Sequence, residues 1–328
     1  MQENVEKSVA DRHAYMIMAH GNLAGLEKLL SVLDDAHNDI YVHIDLKCKD
    51  FNSDKFIQHI QNARIWFVDR VKVNWAGYSQ IKAELILLKE ATKEYHQYYH
   101  LMSGVDFPLK TQLEIRQFFS ANNGKEYIRF DENANQSGDF LDRVRYFYFF
   151  QDKIGRNRGK SCRRLLQIQR FLLALQKRLK IDRTRRSKYR MYKGTNWFSI
   201  THQMAIFVLQ NEKYIKKYFR FGLGADEVFL HTLAMASPYK EQIVNNCLRY
   251  IDWVRGDPYI FTDNDYDELI VNKNLFARKF NYEKDPMVID KLFVYLTKTN
   301  TEKSHEVKSN YEFEEHIAEN CPWGGDIS

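Results

Sequence analysis

The amino-acid sequence predicts an α/β fold with a mostly parallel central sheet flanked by helices. Three short apolar runs, HAYMIMAH, YVHID and ARIWFV, are bounded by polar residues, which is typical of buried strands in a parallel sheet. Between the first two runs, the segment GNLAGLEKLLSVLDD carries leucines at helical spacing. The chain has 328 residues, 44% of them hydrophobic, so it can bury one large α/β core or two modest ones.

The β-α-β start is followed by further alternation of helices and strands. We predict a helix from about Ser79 to Tyr95, whose inner side carries Ile81, Leu85, Leu88 and Ala91. The run YYHLMSGVDFPL predicts a strand and a turn, a helix follows Lys110, and TNWFSITHQMAIFVLQN resumes the buried pattern. This alternation predicts a doubly wound arrangement.

The middle of the chain is strongly basic. The segment from Arg143 to Lys193 holds 18 Lys or Arg and two Asp, which leaves 31 basic and 41 acidic residues in the rest of the chain. Apolar residues at positions 165, 166, 168, 171, 172, 175 and 179 predict that much of it is helical. Such a segment can be a solvated face, or it can bind nucleic acid, anionic lipid or an anionic substrate. Its leucines fit either ordinary helix packing or contact with anionic headgroups.

The domain boundaries follow from these shifts in composition. We predict one domain over residues 1–297, with a basic helical insert over about 143–193, and a surface tail over residues 298–328, where the periodicity is lost. The polar, Asn-rich stretch from Asp131 to Ser137 predicts a loop.

Several functional classes lack their sequence signals. The four cysteines include no C-x-x-C pair, which argues against a zinc site or a disulfide scaffold and fits a reducing compartment. Phosphate-loop, dinucleotide, metalloprotease and nucleophile-elbow motifs are absent. No apolar run reaches the roughly 20 residues that span a bilayer, and no signal peptide is recognisable. We therefore expect a cytoplasmic protein.

Three acidic segments are candidates for chemistry. His43 and Asp45 end an apolar strand, at the carboxyl edge where open α/β sheets bind ligands, although H-x-D also fits an edge histidine with a capping aspartate. Asp106 in SGVDFPLK is expected to stabilise its turn. In GADEVFLHTL, Asp226 and Glu227 either cap a helix or include a catalytic carboxylate.

The order of the motifs resembles one enzyme family. AYMIMAH, YVHID, VNWAGYSQIKAELILL, YYHLMSGVDFPLKTQLEI, YKGTNWFSIT, GADEVFLHTL and NLFARKF follow one another as in the core-2/I-branching glycosyltransferases, glycosyltransferase family 14. This family contains β-1,6-N-acetylglucosaminyltransferases and peptide O-xylosyltransferases. The resemblance runs from about His13 to Leu292, and SGVDFPLKTQLEI, close to G-x-D-[FY]-P-[IL]-K-T, is its most specific part. It implies a GT-A-like nucleotide-sugar fold, inversion at the anomeric carbon, and UDP-sugar donors without a divalent metal.

The resemblance assigns the reacting groups. Glu227 matches the family's catalytic base, which leaves Asp226 to cap the helix that follows. Lys279 in NLFARKF matches a basic residue that contacts the β-phosphate, with Arg255 and Arg278 as further candidates. The string Asp263-Asn264-Asp265 lies late in the chain among polar residues, so we predict a loop there and no metal site.

It also suggests how both substrates bind. Asp45 corresponds to an acid that contacts the nucleoside and Trp75 to an aromatic residue near the base; His20, His43 and Asp106 are placed on the donor side as well. The acceptor is expected to contact the residues Arg143, Trp197 and Trp253.

Two departures from the animal family members shape the remaining expectations. The sequence lacks their membrane anchor, stem and many cysteines, and it carries the basic insert. We expect a bacterial enzyme that uses UDP-GlcNAc to build a surface polysaccharide or lipid-linked glycan, with peripheral contact to an anionic membrane through the insert. The alternative is a non-catalytic protein that binds nucleic acid or another polyanion, but no known nucleic-acid-binding motif supports it, so we expect no nucleic-acid partner.

Overall fold

The computed structural model describes residues 11–157 and 159–298. In this part of the chain a seven-stranded sheet has the order β3-β2-β1-β4-β7-β6-β8. Its strands are β1 (His13–Ala19), β2 (Asn38–Ile44), β3 (Arg64–Phe67), β4 (Tyr98–Ser103), β6 (Glu126–Phe130), β7 (Gly194–Thr201) and β8 (Ile243–Val244). The strands β1 to β4 are parallel, whereas β7 is antiparallel to both β4 and β6. The predicted α/β class, with a mostly parallel sheet flanked by helices, is confirmed.

The helices lie on both faces of this sheet. They are α1 (Leu23–Val32), α2 (Asp54–Ile57), α3 (Tyr78–Ala91), α4 (Gln112–Ala121), α5 (Glu132–Ser137), α6 (Asp142–Arg145), α7 (Gln151–Ile154), α8 (Lys160–Arg178), α9 (His202–Gln210), α10 (Glu212–Phe219), α11 (Asp226–Ala236), α12 (Tyr266–Ile270) and α13 (residues 286–298). None of the helices in the described ranges is long and apolar enough to cross a bilayer.

Two apolar cores form because side chains alternate along each strand. On β1, Ala14 and Met16 pack on the side that carries α3, α9 and α11. Tyr15 and Ile17 pack on the opposite side, with α1, α4 and α13. A strand buried on both faces must be apolar at successive positions, and this is why β1 and β2 read as continuous apolar runs.

A second, three-stranded sheet brings two motifs together. Its strands are β5 (Asp106–Pro108), β10 (Phe276–Arg278) and β9 (Arg249–Ile251), in the order β5-β10-β9. Arg278 lies opposite Asp106 in the antiparallel register of β10 and β5. NLFARKF and SGVDFPLK are therefore neighbours, although about 170 residues separate them in the sequence.

The buried Arg249 ties this small sheet to the main one. Its guanidinium donates to the carbonyl oxygens of Leu101 (2.9 Å) and Phe198 (2.8 Å) and to the Ser199 hydroxyl (3.0 Å). These acceptors belong to β4 and β7, so Arg249 holds the small sheet against two interior strands of the large one.

Two predicted loops contain helical turns instead. The stretch after Asp131 forms α5 because the Asp131 carboxylate accepts a hydrogen bond from the Ala134 N–H (3.0 Å) and caps the helix. Asp263–Asp265 forms a short 3-10 helix, which the side chains of Thr262 and Asp265 cap reciprocally.

The basic segment is helical, as predicted, and ordinary packing explains only part of its apolar residues, since Leu165, Leu166 and Leu172 are half-buried. In α8, Gln169 and Gln176 are buried, while Ile168, Phe171 and Leu175 are exposed. The predicted tail lies outside the described residues, except for Lys298.

Candidate active site

The loops after β1 and β2 meet at the carboxyl edge of the sheet, where ligands bind in open α/β folds. Asp45 lies at this edge, and its backbone N–H donates to the Ala19 carbonyl (2.9 Å). Its buried carboxylate accepts from the N–H groups of Lys47 (2.9 Å) and Val73 (3.3 Å). It also lies 3.2 Å from the Lys47 ammonium. Asp45 thus joins the loop after β2 to the loop after β3 and to the end of β1.

Positive charge is concentrated around His20, which follows β1. Burial lowers the pKa of His20 from its usual 6.5; the charge of Asp45 raises it, and those of Lys279, Lys47 and Arg156 lower it further. Burial also lowers the pKa of Lys279, and the charges of Arg278 and Arg156 act in the same direction. The charges of Lys279, Lys47 and Arg156 thus act on one another's surroundings, which suits an anionic ligand.

Trp75 forms an open aromatic surface beside these cations. The Trp75 side chain is 50% exposed, and the guanidinium of Arg156 lies 4.7 Å from its ring centroid. The Gln151 side chain donates to the Trp75 carbonyl oxygen (2.9 Å). A half-exposed tryptophan beside an arginine is a suitable surface for a stacked base.

The turn after Trp75 requires a glycine at position 77. The Asp152 carboxylate accepts from both the backbone N–H (3.0 Å) and the hydroxyl (2.8 Å) of Ser79. A Cβ on Gly77 would lie 2.1 Å from an oxygen of this carboxylate. The loop that carries Trp75 is therefore anchored to α7, within the basic segment.

Glu227 lies at the start of α11, next to the same loop. The Gly224 N–H donates to the Ala76 carbonyl (2.9 Å), which joins the GADE segment to the residue after Trp75. The Glu227 side chain is 39% exposed and accepts a 2.8 Å hydrogen bond from the Arg143 guanidinium. The Lys193 ammonium lies 3.9 Å from the same oxygen. Glu227 is thus a solvent-accessible carboxylate held between two cations.

Asp226 has a different environment, and the prediction that it caps the helix is wrong. It is the first residue of α11, and Ala225 occupies the N-cap position with no side-chain hydrogen bond. The buried Asp226 carboxyl accepts from the Gln80 side chain (3.0 Å). Burial, together with the charge of Glu227, raises the pKa of Asp226 to about 7.

A second buried carboxyl group lies behind Asp226. Burial raises the pKa of Glu84 well above its usual 4.5, and the charge of Asp226 raises it further. The Asn196 side chain donates to Glu84 (3.2 Å), opposing this shift. In this cluster of three acids, only Glu227 is open to solvent, so only Glu227 can accept a proton from a substrate without a rearrangement.

Asp106 and Arg278 form a buried pair beneath Lys279. The Arg278 guanidinium lies 3.4 Å from the Asp106 carboxylate and 4.1 Å from the ring centroid of Trp197. The other Asp106 oxygen accepts from the Ser103 N–H (2.9 Å), so Asp106 stabilises its turn as expected. Burial raises the pKa of Asp106, and the charge of Arg278 opposes that rise.

The structure does not bring every predicted residue to this cleft. The buried His43 ring accepts from the Val71 N–H (3.0 Å). Arg255 is paired with three carboxylates, those of Asp252, Asp265 and Glu268.

The loop that carries Trp253 borders the cleft. Trp253 is 56% exposed and is therefore not a core residue. The Lys279 N–H donates to the Tyr259 carbonyl (3.3 Å), and the Tyr259 N–H donates to the Asp252 carbonyl (2.9 Å). These two backbone hydrogen bonds connect Lys279, through Tyr259, to Asp252, the residue that precedes Trp253.

Contacts connect the base candidate with the phosphate candidate. Arg143 binds Glu227, and the GADE segment is hydrogen-bonded to the Trp75 loop. Arg156 stacks on Trp75, and its charge lowers the pKa of Lys279. Glu227 is thus linked to the surroundings of Lys279 through Arg143, the Trp75 loop and Arg156.

Sequence reasoning missed two residues of this cleft. Arg156 belongs to the basic segment, and nothing in the sequence distinguishes it from the other arginines there. Lys193 lies in YKGTNW, just before β7, and its position within a quoted motif could have drawn attention to it. Its ammonium also pairs with Asp131 (2.9 Å).

Metal ligands are not grouped in the described ranges: no three or more His, Cys, Asp or Glu side chains there lie close enough together to hold an ion. The charged groups that the cleft does bring together are mainly cations.

Known proteins resemble this chain in sequence. The family model described as Core-2/I-Branching enzyme matches residues 13–269. Xylosyltransferase 2 of Rattus norvegicus is 22% identical over 315 residues, covering 87% of this chain and 34% of the relative. Xylosyltransferase sqv-6 of Caenorhabditis elegans is 22% identical over 251 residues, covering 74% of this chain and 28% of the relative. The chain spans about a third of the length of such relatives.

One solved structure is weakly similar. Mouse xyloside xylosyltransferase 1, in its apo form, has a TM-score of 0.37 and 11% sequence identity, covering 81% of this chain and 96% of that one.

Proposed function

Because the chain belongs to the core-2/I-branching enzyme family, we propose that it is an inverting glycosyltransferase that moves a sugar from a UDP-sugar to a glycan hydroxyl. One observation supports this most strongly: the GADE segment, which carries the solvent-accessible carboxylate of Glu227, is hydrogen-bonded to the Trp75 loop, and Arg156 stacks on the open ring of Trp75.

The reaction is a single displacement at the anomeric carbon. Glu227 accepts the proton of the acceptor hydroxyl. The hydroxyl oxygen attacks the anomeric carbon from the face opposite UDP. The new bond joins the acceptor oxygen to the anomeric carbon, and the bond from that carbon to the β-phosphate oxygen breaks. UDP leaves with the electron pair. Arg143 holds the Glu227 carboxylate in place through its 2.8 Å hydrogen bond.

The leaving diphosphate gains negative charge, which the protein must stabilise. We propose that Lys279 and Arg156 provide the positive charge, with no divalent metal taking part. The charges of Lys279 and Arg156 both lower the pKa of His20, which supports this role. Arg278 contributes indirectly, since its pairing with Asp106 fixes the strand that precedes Lys279.

The two substrates use different aromatic surfaces in this proposal. The uracil stacks on Trp75 and the nucleoside contacts Asp45, while the acceptor sugar packs on the exposed ring of Trp253. Trp197 is covered on one face by Arg278, so it contributes to the wall of the site.

We propose UDP-GlcNAc as the donor, in the synthesis of a bacterial surface polysaccharide or lipid-linked glycan in the cytoplasm. UDP-xylose is the competing donor because the similar curated proteins are named xylosyltransferases.

UDP release from a panel of UDP-sugars, measured in EDTA with glycan acceptors, tests this function. We expect turnover with UDP-GlcNAc and a product whose anomeric configuration, read by NMR, is opposite to that of the donor. Retention of configuration or a strict requirement for a divalent ion would contradict the mechanism. The alternative, a polyanion-binding protein, predicts no turnover and nucleic-acid binding that weakens steeply with salt.

A further inference from the structure

The basic helix α8 buries two glutamines, leaves four leucines half-buried and exposes a stripe of further apolar residues. Ile168 is 48% exposed, Phe171 69%, Leu175 41% and Leu179, just after the helix, 62%. Their spacing of three or four residues places them in one stripe along the helix. An amphipathic helix in a globular protein normally turns such a stripe towards the core.

Hydrogen bonds fix α8 in this orientation. The buried Gln176 side chain accepts from the Phe147 N–H (2.8 Å) and donates to the Phe147 carbonyl (3.1 Å). About two helical turns earlier, the Gln169 side chain accepts from the Phe150 N–H (3.1 Å). Rolling the apolar stripe inward would break these buried bonds, and each unsatisfied group would then destabilise the fold.

The stripe is bordered by positive charge. Residues 153–181 contain ten Lys or Arg and no Asp or Glu. On α8 itself the exposed basic residues include Arg164 and Arg178, which at 100° per residue project within and beside the apolar stripe, and Arg170, which projects from the far side.

We infer that this face, defined as Ile168, Phe171, Leu175 and Leu179 with the neighbouring arginines, binds the surface of an anionic bilayer. The helix lies parallel to the membrane plane: the apolar side chains enter the boundary between headgroups and acyl chains, and the guanidinium groups pair with lipid phosphates. A helix of 19 residues provides about 28 Å of contact.

Other occupants fit the face less well. A second copy of the chain would bring one basic helix against another, and the like charges would repel. Nucleic acid would pair with the arginines but would leave Phe171 and Leu175 in water. A bilayer with anionic headgroups satisfies the charge and the apolar stripe together.

The helix α8 is attached to the same segment of the chain as the Trp75 loop. The Phe147 to Gln151 segment, to which the glutamines of α8 bind, also holds the Trp75 carbonyl. The bilayer would therefore lie near the donor site, where a lipid-linked acceptor could enter.

Vesicle co-sedimentation of the full chain tests the inference. We expect binding to phosphatidylcholine vesicles that contain about a third phosphatidylglycerol, at least about tenfold tighter than to phosphatidylcholine alone, and largely lost at about 0.5 M NaCl. The double variant Phe171→Ser/Leu175→Ser should bind the anionic vesicles at least about tenfold more weakly. Arg164→Gln/Arg178→Gln should weaken binding at low salt and reduce its salt dependence.

Val271→Ser is the matched control, because Val271 is 75% exposed and lies outside α8. It should bind like wild type, and circular dichroism and thermal melting should show that every variant is folded. Absence of binding, equal binding to neutral vesicles, or loss of binding in the control would overturn the inference. So would a dimer in size-exclusion chromatography that Phe171→Ser/Leu175→Ser converts to monomer. All of these readouts are independent of enzymatic activity.

Discussion

Replacing Asp226 with Asn should stabilise the protein relative to wild type, and this difference in the free energy of unfolding should grow as the pH rises from 4 to 7. In the folded protein burial and the nearby Glu227 raise the pKa of Asp226 to about 7, against an ordinary value of 3.8. The folded state therefore keeps a proton that the unfolded chain releases across this interval. The asparagine carbonyl can still accept from Gln80, so the substitution removes the titration and preserves the hydrogen bond.

The magnitude follows from the width of the interval. Below pH 3.8 the Asp226 carboxyl is protonated in both states, and above about pH 7 it is ionised in both. Between these limits the wild type loses about 1.4 kcal/mol of folding free energy per pH unit through this group. The gap between 3.8 and about 7 amounts to about 4 kcal/mol in total, which the variant avoids.

Urea unfolding followed by tryptophan fluorescence at pH 4, 5, 6, 7 and 8 measures this difference. The stability of Asp226→Asn relative to wild type should rise from pH 4 to pH 7 and then stay level. Glu241→Gln is the control for the loss of one negative charge, since its side chain is 82% exposed. A difference for Asp226→Asn that is the same at every pH would refute the reasoning, because it would mean that Asp226 is ionised in the folded protein.

Three further substitutions test the cleft. Lys279→Met should lower kcat/KM for UDP release by at least about tenfold, with Lys279→Arg partly active, because the leaving diphosphate loses a cation; an unchanged rate would remove Lys279 from the site. Trp75→Ala should weaken UDP binding, measured by calorimetry, by about 1–3 kcal/mol, and Trp75→Phe should restore much of it; equal affinity for all three would exclude stacking. Arg143→Met should lower kcat for UDP release, because the base loses the hydrogen bond that holds its carboxylate in place; an unchanged kcat would show that this hydrogen bond is absent during turnover.

The strands and main helices could be predicted because their signals are local. β1 and β2 are apolar at successive positions since helices cover both faces of the sheet, and Leu26, Leu29 and Leu30 repeat with the period of α1. The stretch after Asp131 was misread because its polar composition is typical of a loop. The single hydrogen bond from Ala134 to the Asp131 carboxylate is enough to start a short helix there.

The site was harder to predict because its contacts join distant parts of the chain. Arg143 was expected at the acceptor, but it binds Glu227, 84 residues away. Arg156 and Trp75 are likewise joined only by the fold. The two acids of GADE differ in burial, and the sequence alone does not show that Asp226 is turned inward while Glu227 reaches solvent.

The orientation of α8 could not be predicted for a related reason. The leucines and Phe171 have the spacing of an ordinary core-facing helix. The bonds of Gln169 and Gln176 to residues 150 and 147 hold the side of the helix that faces inward, and these bonds join parts of the chain that the sequence pattern does not connect.

The single-turnover rate of Glu227→Gln, measured together with its affinity for UDP, tests the central claim most directly. Glutamine keeps the size of the side chain but cannot accept the acceptor's proton, so we predict a loss of at least about 100-fold in rate with UDP affinity unchanged within about twofold. Glu241→Gln should turn over like wild type. Full activity in Glu227→Gln, with the donor bound normally, would contradict the assignment of Glu227 as the base.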